Sequence, residues 1–248
     1  MREWGAMKTS FLLRSSLAIL ACAIAVTAAA NTATDPQPRD ARWVTRHESF
    51  VEIANQQTDC QALFLGDSIT DGWRNSGLGV WTKNFSQYDP VNLGISGDRT
   101  QHLLWRLQNG GIGKLRPKAI VLMIGTNNTG YEPDKKTKRN TPAETAGGVR
   151  AVVAYLRAQL PASKILLLAV FPRGETNNPQ RAEVGQINEI ISKLHDGKAV
   201  FYLDINQKFL LADGTLPREI MPDLLHPNLK GYLIWADAIR QPLADLMK

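Results

Sequence analysis

Four residues in three separated segments have the types and spacing of a single acyl-transfer site. Gly66-Asp67-Ser68 offers a hydroxyl, Gly125-Thr126-Asn127 a side-chain amide, and Asp223-Leu224-Leu225-His226 an imidazole with a carboxylate three residues before it. A serine hydroxyl is a weak nucleophile until a base takes its proton, so an imidazole must lie within hydrogen-bond reach. The chain has four histidines. His47, His102 and His195 fall within or at the ends of helix-forming stretches and read as packing or surface residues. His226 has Asp223 at the spacing that lets a carboxylate accept from Nδ1 and fix the tautomer, which makes Ser68, Asp223 and His226 the candidate triad. The alternative for Asp223 and His226 is that they only cap the helix that follows.

A tetrahedral intermediate also needs donors aimed at its developing negative charge. The backbone N–H groups of Ser68 and Gly97 and the side-chain amide of Asn127 are the candidates. Gly97 sits in Gly94-Ile95-Ser96-Gly97-Asp98, where a glycine admits close backbone approach but equally makes an ordinary turn. Asn127 at a strand end has the same two readings.

These residues need a frame that brings them together. Five short apolar runs, Ala62–Leu65, Val91–Leu93, Ala119–Ile124, Ile165–Phe171 and Val200–Leu203, are continuous rather than alternating, as in strands of a parallel sheet covered on both faces. Helix-compatible stretches occupy Asp40–Gln57, Thr100–Gln108, Ala143–Gln159, Pro179–Leu194 and Leu229–Leu246, and Pro242 is expected to kink or shorten the last. Strands alternating with helices predict a three-layer α/β/α fold of flavodoxin-like order with a central five-stranded parallel sheet. In the strand order 2-1-3-4-5, Ser68, Gly97 and Asn127 all follow strands that meet at the switch-point crevice, where such sheets bind ligands.

Composition narrows the function classes. With 248 residues, 44% of them hydrophobic, the chain is long enough for one large domain, read here as residues 40–248. Residues 31–39, with Pro36 and Pro38, read as a disordered or extended tail. Lys8 and Arg14 precede the apolar stretch Leu17–Val26 and the small residues Thr27-Ala28-Ala29-Ala30, the pattern of a cleaved export signal over residues 1–30. That stretch is shorter than the ~20 residues a bilayer span needs, so no stable membrane span is expected. The product is expected to be periplasmic or extracellular, with lipid anchoring at Cys22 the minor alternative. Removing residues 1–30 leaves Cys60 as the one cysteine, at the start of an apolar run and expected to be a buried thiol. The net charge of +6 includes Arg2, Lys8 and Arg14 from the signal segment, and the mild excess that remains does not argue for nucleic acid.

Other chemistries lack their motifs. Gly66-Asp67-Ser68-Ile69-Thr70 misses the second glycine of the G-x-S-x-G elbow. Gly110-Gly111-Ile112-Gly113-Lys114 is followed by Leu115 where a phosphate loop has Ser or Thr. No G-x-G-x-x-G or H-E-x-x-H occurs, so neither a dinucleotide nor catalytic zinc is implied, and no cofactor is expected.

Gly66-Asp67-Ser68-Ile69-Thr70, Gly94-Ile95-Ser96-Gly97-Asp98, Gly125-Thr126-Asn127-Asn128 and Asp223-Leu224-Leu225-His226 together resemble the four blocks of the GDSL, or SGNH, hydrolase superfamily. Within it the chain is most similar to the catalytic subunits of platelet-activating factor acetylhydrolase and their bacterial relatives. Arg42-Trp43 with His47, Leu104-Trp105-Arg106-Leu107 with Asn109-Gly110, and Pro172-Arg173-Gly174-Glu175 extend the likeness over roughly residues 40–248. The resemblance implies Ser68 as nucleophile, Asp223 and His226 completing the triad, Ser68, Gly97 and Asn127 as oxyanion donors, a preference for very short acyl groups, and a homodimer as one family arrangement. Two departures stand out. The export signal separates this chain from the intracellular animal enzymes, and residues 129–142 form a longer polar segment whose Lys135, Lys136, Lys138 and Arg139 read as a solvated loop. The expected substrate is a small acyl ester, with O-acetyl groups on a carbohydrate foremost. A lysophospholipase or arylesterase is the alternative within enzymes, and a ligand-binding protein that keeps the fold is the alternative outside them.

Overall fold

The computed structural model describes residues 1–2 and 32–248. The expected signal sequence, including Cys22, lies outside the described residues. The elements run α1 (Ala41–Gln56), β1 (Ala62–Gly66), α2 (Ser68–Asp71), α3 (Leu78–Phe85), β2 (Val91–Asn92), α4 (Thr100–Arg106), β3 (Ala119–Met123), α5 (Pro142–Gln159), β4 (Lys164–Leu168), α6 (Pro179–Ile191), β5 (Val200–Leu203) and α7 (Leu229–Leu246), with short 3₁₀ turns and one π-turn, Leu107–Gly111, between them. The five strands form one parallel sheet in the order β2-β1-β3-β4-β5. That is the expected order, and its switch point lies between β2 and β3 on either side of β1.

The apolar runs become strands because both faces are covered. Leu63, Ile120, Ile165 and Val200 are in register across the sheet and belong to one buried cluster, packed under α1, α4, α5 and α6. Phe64, Val121 and Leu166 point the other way into a second cluster with Trp73, Val80, Phe85 and the α7 residues Trp235, Ile239 and Leu243. Burying such a side chain is worth ~1.5–3 kcal/mol, and a sheet buried on both faces collects it from every strand position.

Helix starts carry their caps. Asp40 accepts from Trp43 N at 3.1 Å. Thr141 and Glu144 form a reciprocal capping box ahead of α5, with Pro142 at its first position. Asn178 caps α6 and Asn228 caps α7.

Three expectations are corrected. α7 runs through Pro242 to Leu246 and is not shortened, since Pro242 falls near the end of the helix, where little of it remains to be broken. The stretch after residue 31 is not a loose tail: Thr32–Thr34 is a 3₁₀ turn with Ala33 fully buried, its carbonyl accepting from Thr100 Oγ1 at 2.8 Å. In residues 129–142 the solvated reading holds for Lys135, Lys136 and Lys138 and fails for Arg139, and the loop is tied down by its own contacts. Glu132 takes a two-pronged contact from Arg99 at 2.6 and 2.7 Å, Asp134 caps its own turn, and Lys138 pairs with Glu183. Lys135 and Lys136 are exposed as expected, whereas Arg139 is half-buried and donates to the Asn127 carbonyl at 3.1 Å. Cys60 is a buried thiol, pushed by its burial up to about 11.

Candidate active site

The site grows from the C-terminal ends of β1, β2 and β3. Asp67 leaves β1 and caps α2, accepting from Ile69 N at 3.0 Å, so Ser68 opens the helix at the mouth of the crevice. Ser68 Oγ lies 2.9 Å from His226 Nε2, and His226 Nδ1 lies 2.6 Å from Asp223 Oδ2. The three side chains therefore form one continuous hydrogen-bonded relay, with Ser68 and His226 lying 158 residues apart in sequence. Asp223 Oδ1 accepts from the backbone N–H groups of Leu225 and His226 at 3.0 and 2.8 Å. Asp223 consequently holds its own loop and the imidazole at once. Burial alone would raise its pKa, but the hydrogen bonds from the His226 ring and backbone bring it below the usual carboxylate range. The helix-capping alternative fails, because Asn228 makes the cap of α7, donated to by Lys230 N and Gly231 N.

Between Asp223 and His226 the backbone turns sharply. Leu224 has φ +58, a left-handed conformation that a non-glycine residue occupies at a cost of ~1 kcal/mol or more. Its side chain is buried among the second cluster, which supports the strained turn.

Gly97 and Asn127 both take part in turns, the simpler of their two readings. Asp98 N donates to Ile95 O at 3.2 Å, closing a turn with Gly97 at φ +81, the left-handed third position of a type II turn. A Cβ at Gly97 would also meet the Arg39 guanidinium at 3.0 Å. Asn127 belongs to a 3₁₀ turn entered through Gly125 at φ +132, and its side-chain amide donates to Asp98 O at 2.9 Å. One amide hydrogen thus locks the β3 loop to the β2 loop, and an amide nitrogen has a second hydrogen to give.

The loops beneath are braced by groups from the matching stretches whose partners the sequence does not reveal. Asp98 is fully buried and accepts from Trp43 Nε1 at 2.6 Å and from Arg106 Nε at 2.8 Å. Arg106, also buried, donates further to Leu93 O. This buried ion pair with all its hydrogen bonds filled fixes the Gly97 turn, a role that rewards specificity of geometry more than net stability. Asn128, fully buried, accepts from Thr100 N and donates to Gln101 and Asn140. Trp43 and Asp98 are 55 residues apart, so only the fold reveals the pair.

Asp67 is the electrostatic exception. It is fully buried, its Oδ2 has no hydrogen-bond partner, and burial pushes its carboxyl up to about 7 against the pull of the Ile69 N–H. The other histidines behave as structural groups. His47 is stacked on Trp43 and bonded to Asn109 O, and His195 accepts from Tyr202 N. His102 accepts from Arg99 N, and burial beside Arg39 and Arg99 pulls it down to about 3. Among the described residues no group of side chains is arranged to hold a metal ion.

The cleft over Ser68 and His226 has a volume of about 260 Å³. Asp71, Asn75, Ser76 and Ser96 line it together with Pro227 and Tyr232.

Comparison with known proteins agrees with this geometry. The model of the GDSL-like lipase/acylhydrolase family matches residues 64–234. The alpha1 subunit of human platelet-activating factor acetylhydrolase IB is 32% identical over 223 residues, 88% of this chain and 91% of that one. The chicken (Gallus gallus) alpha2 subunit is 36% identical over 221 residues, 89% of this chain and 90% of that one. Among solved structures, a GDSL-like lipase from Bacteroides thetaiotaomicron superposes with a TM-score of 0.67 at 20% identity, covering 81% of this chain and 97% of that one. An acetylxylan esterase from Geobacillus stearothermophilus superposes with a TM-score of 0.61 at 21% identity, covering 75% and 96%. These likenesses extend the fold over nearly all of each neighbour.

Proposed function

Because the chain belongs to the GDSL-like lipase/acylhydrolase family, and so is a carboxylic-ester hydrolase, we propose that it is an exported serine esterase for short acyl groups, foremost O-acetyl groups on a carbohydrate. The observation that carries the reading is the relay from Ser68 Oγ through His226 to Asp223, at 2.9 and 2.6 Å. In this mechanism His226 Nε2 takes the Ser68 proton as Oγ attacks the ester carbonyl, and Asp223 stabilises the imidazolium that forms. The oxyanion is received by the N–H groups of Ser68 and Gly97 and the second amide hydrogen of Asn127. His226 then returns its proton to the departing alcohol, leaving an acyl-serine. Water, activated by the same imidazole, hydrolyses that intermediate and frees Ser68.

Two observations support the acetyl and carbohydrate parts of the proposal. A small cleft walled by Asn75, Ser76 and Ser96 offers hydrogen bonds to a sugar and little apolar surface to a fatty chain. One structural neighbour is an acetylxylan esterase, and the curated relatives are acetylhydrolases. Export rests on residues 1–30 of the sequence, and no described helix is long and apolar enough to cross a membrane. A protein that only bound its ligand would have no use for the Ser68–His226–Asp223 relay.

The test is Ser68→Ala assayed on a chromogenic acetate ester, alongside a panel of acetylated glycans and acyl lipids. Loss of a triad nucleophile lowers turnover by roughly 10⁴–10⁶. Near-normal turnover in the purified variant would remove the serine mechanism, and activity confined to acyl lipids would replace the carbohydrate reading with the lysophospholipase one.

A further inference from the structure

The stretch Pro172-Arg173-Gly174-Glu175, just beyond β4, has no part in the mechanism above, yet it touches both halves of the site. Arg173 Nη1 donates to Thr126 O at 3.0 Å and to Thr126 Oγ1 at 3.1 Å, with Thr129 Oγ1 at 3.4 Å. Those atoms belong to, or directly follow, the 3₁₀ turn Thr126–Asn128 that presents the Asn127 amide. The next residue faces the other way: Gly174 N donates to Leu224 O at 2.8 Å, inside the strained turn between Asp223 and His226. Gly174 has φ +68, and a Cβ there would come within 2.4 Å of the Asn178 amide, so the close approach depends on glycine.

Resting on the serine-esterase reading of this site, we infer that Arg173 is a positioning residue for hydrolysis. Through Thr126 it fixes where the Asn127 amide points, and through the adjacent Gly174 the same backbone segment fixes the loop of Asp223 and His226. The separation between oxyanion donor and base is thus set by two consecutive residues. All three oxygens face the single nitrogen Nη1, whose two hydrogens are shared among them, so one end of the guanidinium ties Thr126 to Thr129. The guanidinium is half-buried, with burial pulling its pKa down and the Asp67 carboxyl pulling it back up. None of its hydrogen bonds reaches the Ser68 or His226 side chain, and the route proposed for its effect is the Thr126–Asn127 turn.

The experiment is a double-mutant cycle on p-nitrophenyl acetate with Arg173→Ala, Asn127→Ala and the double variant, each first shown folded by thermal melting. Arg173→Ala is expected to lower kcat by roughly 10²-fold, the scale of a reacting group misplaced by about an ångström, with KM changed less than about 3-fold. In the Asn127→Ala background the same substitution is expected to cost less than about 3-fold more, because the donor it positions is already gone. Millimolar guanidinium should restore part of the activity of Arg173→Ala and leave wild type unchanged. A general loosening of the fold would instead multiply the two losses. If Arg173→Ala does not fold, Arg173→Lys enters the same cycle with the same requirement of non-additivity. Multiplicative losses, or wild-type kcat in a folded Arg173 variant, overturn the inference. The serine-esterase reading fails separately, through an active Ser68→Ala.

Discussion

Replacing Asp67 by Asn should make the protein more stable in alkaline solution, although Asp67 stands next to the nucleophile. The folded state holds this carboxyl at about 7, against 3.8 for the ordinary group, and burial is the main cause. For an acid raised in the folded state the sign is definite. Below pH ~4 both states are protonated and Asp67 contributes nothing; between ~4 and ~7 the unfolded chain releases a proton that the folded chain keeps, so stability falls as pH rises. Above ~7 both forms are ionised and the full penalty remains, ~3 pH units at 1.36 kcal/mol each, or ~4 kcal/mol. Asn keeps the oxygen that caps Ile69 N and carries no charge. Its NH₂ group lands where Oδ2 now has no partner, which costs ~1–3 kcal/mol at any pH. That cost cancels when the same variant is compared at two pH values. Urea unfolding of wild type and Asp67→Asn at pH 4.5 and 8.5 should therefore give a stability difference that swings by ~3 kcal/mol in favour of Asn at the higher pH. A difference that does not move with pH would refute the reasoning, because it would mean that the carboxylate is satisfied when ionised.

Three more outcomes follow from the site. Asp223→Asn should leave the fold intact and lower kcat by roughly 10⁴-fold, since an amide at that position favours the wrong imidazole tautomer; steady-state kinetics with a melting curve checks both halves. Asn127→Ala should lower kcat by roughly 10²–10³-fold with a smaller change in KM, whereas a variant that melts early but turns over normally per folded molecule would leave Asn127 only its turn. Hydrolysis of p-nitrophenyl esters should fall steadily from acetate to octanoate, because a channel for longer chains would gain ~0.8 kcal/mol per buried CH₂ and the polar cleft has no such lining; an optimum at octanoate would count against the acetyl reading.

The parts of this molecule that local chemistry determines were readable in one dimension. Continuous apolar runs gave all five strands within a few residues, and the type and spacing of Asp223 and His226 marked the base before any geometry was known. Helix α3 was not foreseen: Leu78-Gly79-Val80-Trp81-Thr82-Lys83-Asn84-Phe85 mixes a glycine with β-branched and aromatic residues, and it is helical because Val80 and Phe85 pack into the cluster that α7 completes. The fourth apolar run extended past its strand because Ala169, Val170 and Phe171 stay fully buried after the ladder ends. Asp98, Arg106, Trp43, Arg173 and Thr126 stood in the stretches that carry the family likeness, but their pairing was not legible. Each is an ordinary residue until a partner from another strand end arrives, and no local pattern encodes that arrival.

The 158-residue gap between Ser68 and His226 has a consequence for the life of the chain before it is an enzyme. Tyr232, on α7, donates through its hydroxyl to Ile69 O at 2.7 Å, so the last helix also clamps the turn that carries the nucleophile. Both connections wait for the C-terminal segment. A ribosome-bound chain that stops short of Asp223 holds neither the Ser68–His226 contact nor the Tyr232 clamp. On the proposed serine mechanism, hydrolytic competence therefore waits for the docking of residues 223–248, and contacts so distant in sequence form slowly. The nascent protein is chemically silent until it is whole, and its first turnover is a readout of completed assembly.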